Sequence, residues 1–244
     1  MRAAAPFVRR VEWSGEEYDR TAWWARIPAA RDLLDRGLDL RPGVTFLVGE
    51  NGSGKSTLVE GIAAAYGLNP EGGSTGARHT TRATESPLGD VLRLVRSPGS
   101  RTGGYFVRAE TLHGLYTYLE GLPETPDADL HVRSHGEGLL ELVRRKLFRA
   151  AFYLMDEPES ALSFTSTLSL LTQLHELAAA GAQVVVATHS PVLVALPGAH
   201  IVALDPDGLH DVEDWRDLDL VRHVRTYLDA PERYLRHLIG PADR

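Results

Sequence analysis

The apolar positions of this chain fall into two patterns. Val44-Thr45-Phe46-Leu47-Val48, Ala151 to Met155 and Gln183 to Ala187 are short, nearly unbroken apolar runs, rich in β-branched and aromatic residues, and they predict strands buried on both faces. Tyr105-Phe106-Val107-Arg108 is strand-like as well. Helical spacing of apolar residues predicts helices over Ile27–Leu38, Ser56–Tyr66, Leu139–Phe148 and Ser166–Ala180, the last closed by Gly181. Phe7 to Trp13 alternates and predicts an edge strand. Ile201–Leu204 and Leu209–Val212 predict a hairpin across Asp205-Pro206-Asp207-Gly208. Leu218–Leu228 and Glu232–Ile239 predict terminal amphipathic helices, with His223, Arg225, Arg236 and His237 on a solvated face. The pattern leaves Val91–Val95 undecided between helix and strand. Asn69–Arg82, rich in Gly, Ser and Thr, predicts a loop, and Thr111–Leu119 a short helix broken at Pro123-Glu124-Thr125-Pro126. Alternating strands and helices give one α/β domain over 1–244, with a small helical lobe inserted over roughly 110–149 and no heptad run in it.

Between the first buried run and the helix behind it stands Gly49-Glu50-Asn51-Gly52-Ser53-Gly54-Lys55-Ser56-Thr57, which fits G-x-x-x-x-G-K-[ST] at every required position. Strand, glycine-rich turn and helix come in the order that points successive backbone N–H groups of Asn51 to Thr57 at one anion. In such a loop the ammonium of Lys55 reaches the β and γ phosphates and the hydroxyl of Ser56 sits on Mg²⁺. A chance glycine-rich turn would carry Gly-Lys-Ser without that strand in front.

Three further pieces repeat the logic of a strand ending in chemistry. The run from Ala151 ends in Asp156-Glu157, where Asp156 can hold a metal and Glu157 can activate water, although two acids there would also suit a helix N-terminus. The run from Gln183 ends in Thr188-His189-Ser190, placing an imidazole where it can meet a γ-phosphate. Ser134-His135-Gly136-Glu137-Gly138 opens a helix and forms a second anion-seeking start. One nucleotide cannot use both helix starts of one chain, so the simplest arrangement is in trans, with Ser134 and Gly136 of one subunit completing the site of another.

The order of these motifs resembles the ATP-binding cassette (ABC-type) P-loop ATPases, and within them the compact soluble SMC-like and RecF-like branch. The resemblance runs from Phe7 to about Leu238. It implies an ABC-type ATPase core with a mixed sheet, ATP and Mg²⁺ as cofactors, and a homodimer that closes on MgATP. Ser134-His135-Gly136-Glu137 is similar to the family's signature, Asp156-Glu157-Pro158-Glu159 to its Walker B with catalytic acid, Ser160-Ala161-Leu162-Ser163 to its D-loop, and His189 to its switch histidine. Two departures stand out. The glutamine expected between P-loop and signature is absent, the only glutamines being Gln173 and Gln183, and Glu110 is the candidate occupant, with a carboxylate for Mg²⁺ or water. The D-loop ends in Ser163 instead of aspartate. For the adenine ring the aromatic candidates are Tyr18, Trp23 and Trp24, which ordinary packing would explain equally.

Composition narrows the role. With 244 residues and 43% hydrophobic content the chain can bury a large core, and with no cysteine it has neither disulfides nor thiolate metal sites. No apolar run reaches membrane-span length and Met1–Val11 has no apolar signal core, so the expectation is a cytoplasmic protein. A formal charge of −7 argues against a whole-surface nucleic-acid footprint while leaving a local one open. Lys55 and Lys146 are the only lysines among 26 basic residues, so the loop position holds a compact ammonium in an arginine-rich chain. Three outputs remain: a motor for DNA repair or mobile-element defence, a slow-hydrolysing switch whose ATP-bound dimer recruits a partner protein, and the ATPase half of a transporter.

Overall fold

Three of the apolar runs form the middle of one sheet, and the candidate site hangs from their ends. The computed structural model describes residues 5–70, 72–74, 87–99, 103–111 and 135–239. In chain order these form β1 (Val8–Trp13), α1 (Pro28–Arg36), β2 (Leu38–Asp39), β3 (Gly43–Val48), α2 (Lys55–Tyr66), β4 (Gly73–Ser74), β5 (Leu92–Arg96) and β6 (Gly104–Arg108). They continue with α3 (His135–Lys146), β7 (Phe152–Asp156), α4 (Phe164–Ala179), β8 (Gln183–Thr188), β9 (His200–Asp205), β10 (Gly208–Val212), α5 (Asp219–Asp229) and α6 (Glu232–Leu238).

The larger sheet has the order β10-β9-β3-β8-β7-β6-β4. Its five inner strands are parallel and its two outermost are antiparallel, which is the mixed sheet expected. Strand β3 lies between β8 and β9, and its last residue, Val48, is opposite Thr188 on one side and Ala203 on the other. Side chains alternate between two cores. Phe46, Met155 and Val186 face one way, under Leu139 and Leu142 of α3 and Leu170 and Leu174 of α4. Leu47, Leu154 and Val185 face the other way, under Leu33 of α1 and Leu58 and Ile62 of α2. Two covered faces explain why these strands read as unbroken apolar runs.

A second sheet, β2-β1-β5, lies beside α1 and α2. Here β1 pairs with both neighbours, so it is a central strand and not the edge strand expected. Alternation reports that one face of a strand is wet; it does not count hydrogen-bonded neighbours, and both partners come from later in the chain. The undecided Val91–Val95 stretch becomes β5. The two sheets are joined by the buried amide of Gln183. Its Oε1 accepts from Val8 N–H at 2.9 Å, and its Nε2 donates to the carbonyls of Val8 at 2.8 Å and Arg41 at 3.2 Å.

The hairpin forms as expected, with Asp205 opposite Gly208. Helix α3 begins at His135, not at Leu139, so Gly136 and Gly138 lie in its first turn. Of the expected helical lobe, Glu110 lies in a short turn after β6 and α3 is present; Thr111–Leu119 falls almost wholly, and Pro123–Asp127 and Ser134 entirely, outside the described residues. His223, Arg225, Arg236 and His237 are exposed on the terminal helices, as a solvated face requires.

Candidate functional site

Residues 49 to 54 link β3 to α2 in a loop whose shape depends on glycine. Gly54 sits at φ 97°, and a Cβ there would come within 2.4 Å of Ile27 Cγ2, so a side chain is excluded by both conformation and space. Lys55 follows as the first residue of α2, only 2% exposed. Its ammonium donates back to the carbonyls of Gly49 at 2.8 Å and Glu50 at 3.0 Å, and lies 3.4 Å from Glu157 Oε1. The loop's own carbonyls satisfy the buried cation.

The Ser56 hydroxyl donates to Asp156 Oδ1 at 3.0 Å, across 100 residues of sequence. Asp156 ends β7 and is 4% exposed. Burial pushes its carboxyl up to about pH 6, against the opposing pull of Arg108 and the Ser56 hydrogen bond. A buried carboxylate beside a hydroxyl is a hard-oxygen pair that a divalent cation would satisfy, and Mg²⁺ fits it with phosphate oxygens and water completing the shell. No cluster of three or more His, Cys, Asp or Glu side chains suited to a metal occurs among the described residues.

Glu157 is the only non-glycine with positive φ among the described residues, at φ 44° and ψ 50°. Its N–H still donates to Ala187 O at 3.0 Å, continuing the β7–β8 ladder for one bond before the chain turns. A left-handed carboxylate residue costs about 1 kcal/mol or more. The conformation aims its Oε1 at both Lys55 Nζ and His189 Nδ1, each at 3.4 Å. His189 is set from behind by Glu159, whose Oε1 accepts from the His189 N–H at 2.8 Å and the Thr188 hydroxyl at 2.5 Å.

The structure therefore brings together Lys55, Ser56, Asp156, Glu157 and His189 at the carboxyl ends of β3, β7 and β8. Asn51, Gly52, Ser53 and Thr57 lie on the loop and in the first turn of α2. Glu110 stands at the rim, 78% exposed on its side chain, 3.3 Å from Arg108 Nη2. Gly136 faces its own chain: a Cβ there would come within 2.9 Å of Ala161 O, so the glycine lets the start of α3 pack on Ala161 and Leu162. Ser163 caps α4 by accepting from Ser166 N–H at 3.2 Å, a role that a shorter polar side chain fills well.

Two residues of the site carry no role in the sequence reading. Arg108 ends β6 directly opposite Asp156, with Nε 3.6 Å from its Oδ2 and Nη1 2.7 Å from Glu60 on α2. Glu159 was visible only as an acid after Pro158. A charged residue closing an apolar strand was the available signal for Arg108; nothing in the sequence showed which strand it would face. Of the three aromatics, Trp24 is 3% exposed and packs on Tyr18 at 5.4 Å, while Tyr18 also meets Trp13 edge-on at 6.2 Å. Trp23 is 59% exposed.

A family model described as "AAA domain" matches residues 32–92, and one described as "AAA domain, putative AbiEii toxin, Type IV TA system" matches residues 138–195. The first stretch contains the loop and α2; the second contains the acids after β7 and the histidine after β8. An uncharacterized ABC transporter ATP-binding protein of Haemophilus influenzae is 27% identical over 220 residues, covering 80% of this chain and 82% of that protein. The ribose import ATP-binding protein RbsA of Burkholderia pseudomallei is 30% identical over 220 residues, covering 75% of this chain and 42% of its own length, so the chain spans less than half of that relative. A solved structure titled "An inward-facing conformation of a putative metal-chelate type ABC transporter" matches with a TM-score of 0.48 at 20% identity, covering 89% of this chain and 85% of that one. No helix among the described residues is long and apolar enough to cross a membrane.

Proposed function

The chain is an ABC-type P-loop ATPase, and from that premise we propose that it binds MgATP, closes as a head-to-tail homodimer around two nucleotides, and uses hydrolysis to release a partner that the closed dimer recruits. The observation that carries this reading is the convergence of Lys55, Ser56, Asp156, Glu157 and His189 at three adjacent strand ends. Lys55 and the backbone N–H groups of the loop hold phosphate. Ser56 and Asp156 hold Mg²⁺, with Glu110 at the rim in reach of water on the ion. Glu157 takes a proton from the attacking water, and His189 donates to the γ-phosphate. Mg²⁺, when bound, offsets the phosphate charge. Packing of Gly136 on Ala161 and Leu162 brings the start of α3 against that segment, which supports their acting together, with Ser134, on the nucleotide of a second subunit.

The compact SMC-like and RecF-like branch, a DNA repair or defence role and a cytoplasmic location belong to the same proposal. A second reading, the ATPase subunit of a transporter, is favoured by the names of the relatives in Haemophilus and Burkholderia. Light scattering of Glu157→Gln tests the dimer: a doubled mass with MgATP and a single mass with MgADP is the expected result, and one mass in both states removes the proposal. Copurification of a membrane protein in stoichiometric amount selects the transporter reading instead.

A further inference from the structure

Glu159 sits in the short helical turn Pro158–Ala161 after β7, packed against the end of β8, with a side chain 8% exposed. Its Oε1 closes the turn that carries His189: it accepts from the Thr188 hydroxyl and the His189 N–H, and Thr188 Oγ1 accepts in turn from Ser190 N–H at 3.0 Å. Its Oε2 is buried and has no hydrogen-bond partner among the described residues, and the same is true of His189 Nδ1. That nitrogen stands 3.6 Å from Glu159 Oε1 and 3.4 Å from Glu157 Oε1, so the groups it faces are carboxylates.

We infer that Glu159 is a positioning residue for hydrolysis: its carboxylate takes the Nδ1–H of His189, which turns the ring's other edge, with Nε2, to the nucleotide and leaves Glu157 free for water. The inference rests on the reading of His189 as the group that meets the γ-phosphate. Three observations lead to it. A ring nitrogen that faces carboxylate oxygens carries its proton there, because a lone pair in that place would be repelled. Glu157 cannot hold that proton and also take one from water, and its Oε1 already lies 3.4 Å from Lys55 Nζ. Glu159 has an oxygen to spare, and pairing it with Nδ1 satisfies two buried atoms with one bond. The His189 side chain is 42% exposed although its Nδ1 is buried, so its accessible edge is the one away from the two acids. With Nδ1–H held behind, a donor toward phosphate needs a proton on Nε2 as well. The ring therefore works in its doubly protonated form, its charge shared between the carboxylate behind and the phosphate in front.

The test combines steady-state kinetics with nitrogen NMR of isotope-labelled histidine in the full chain. Glu159→Gln keeps the shape, and its carbonyl oxygen still accepts from Thr188 and the His189 N–H, while its amide nitrogen cannot accept from Nδ1. The expected result is a kcat about tenfold lower with KM for MgATP within about twofold. In a His189→Ala background the same change should alter kcat by less than about twofold. In the spectra, assigned by the signal that His189→Ala removes, the His189 proton lies on Nδ1 in the parent and shifts toward Nε2 in Glu159→Gln. An unchanged kcat, an undiminished loss in the absence of His189, or an unmoved Nδ1 signal each overturns the inference while leaving the phosphate role of His189 standing. A His189→Ala enzyme as fast as the parent removes that role, and the inference with it.

Discussion

Replacing Asp156 by asparagine should stabilise the nucleotide-free protein. The carboxyl is raised from 3.8 to about 6, chiefly by burial. A raised carboxyl favours the folded state only while protonated, so its contribution is fully present below about pH 3.8 and is lost as pH rises through about 6. At about pH 7.5 the fold carries a buried anion that is not fully repaid by Arg108 and Ser56. A displacement of about 2 units at ~1.4 kcal/mol each gives an upper bound near ~3 kcal/mol. Asparagine keeps the shape and can still accept from Ser56, while Arg108 keeps Glu60 and Glu110. The expected gain is ~2–3 kcal/mol, or roughly 4–12 °C in Tm for a chain of this size. Thermal melts followed by tryptophan fluorescence without Mg²⁺ should show that gain at about pH 7.5, and a difference shrinking below ~1 kcal/mol near pH 4. The same variant should lose the extra stabilisation that Mg²⁺ adds to ATP. An Asp156→Asn protein that melts lower at pH 7.5, or at a constant offset across pH, would refute the reasoning.

Lys55→Ala should weaken MgATP by at least ~100-fold in calorimetry, since it removes the buried ammonium that the loop holds at its centre, and binding within threefold of the parent would end the P-loop assignment. Gln183→Leu strips the partners from the buried N–H and C=O of Val8, and should cost about 3 kcal/mol or ~6–12 °C in Tm; a loss under ~1 kcal/mol would mean that the two sheets hold together without it.

The parts of the site legible in the sequence are those whose geometry is local. Gly54, Lys55 and Ser56 are contiguous, and their loop conformation needs no distant residue to be named. Asp156 and His189 were legible because each follows a strand hydrophobic enough to be recognised as buried, and parallel sheets present ligand groups where such strands end. Arg108 was not legible, because its meaning comes from facing Asp156 in the β6–β7 register, which no local pattern encodes. Trp23 and Trp24 are sequence neighbours that the short turn before α1 points in different directions, one into the core and one to solvent. Composition could not choose between them. The central position of β1 likewise depended on pairing with residues near Leu94, far along the chain.

The position of β3 between β8 and β9 also sets an order of events during synthesis. The strand that carries the phosphate loop emerges early, yet Val44 pairs with Val184 and Thr45 with His200. At ~5–20 residues per second, its neighbours reach it roughly 7–30 s later. Throughout that interval a strand destined for full burial has two open edges, the condition that favours wrong pairing with other chains. The loop cannot stand against Asp156 before then, so the nucleotide is unavailable as an early folding aid. Chaperone demand should accordingly follow the translation speed of the segment between β3 and β9, and slowing that segment should lower the soluble yield.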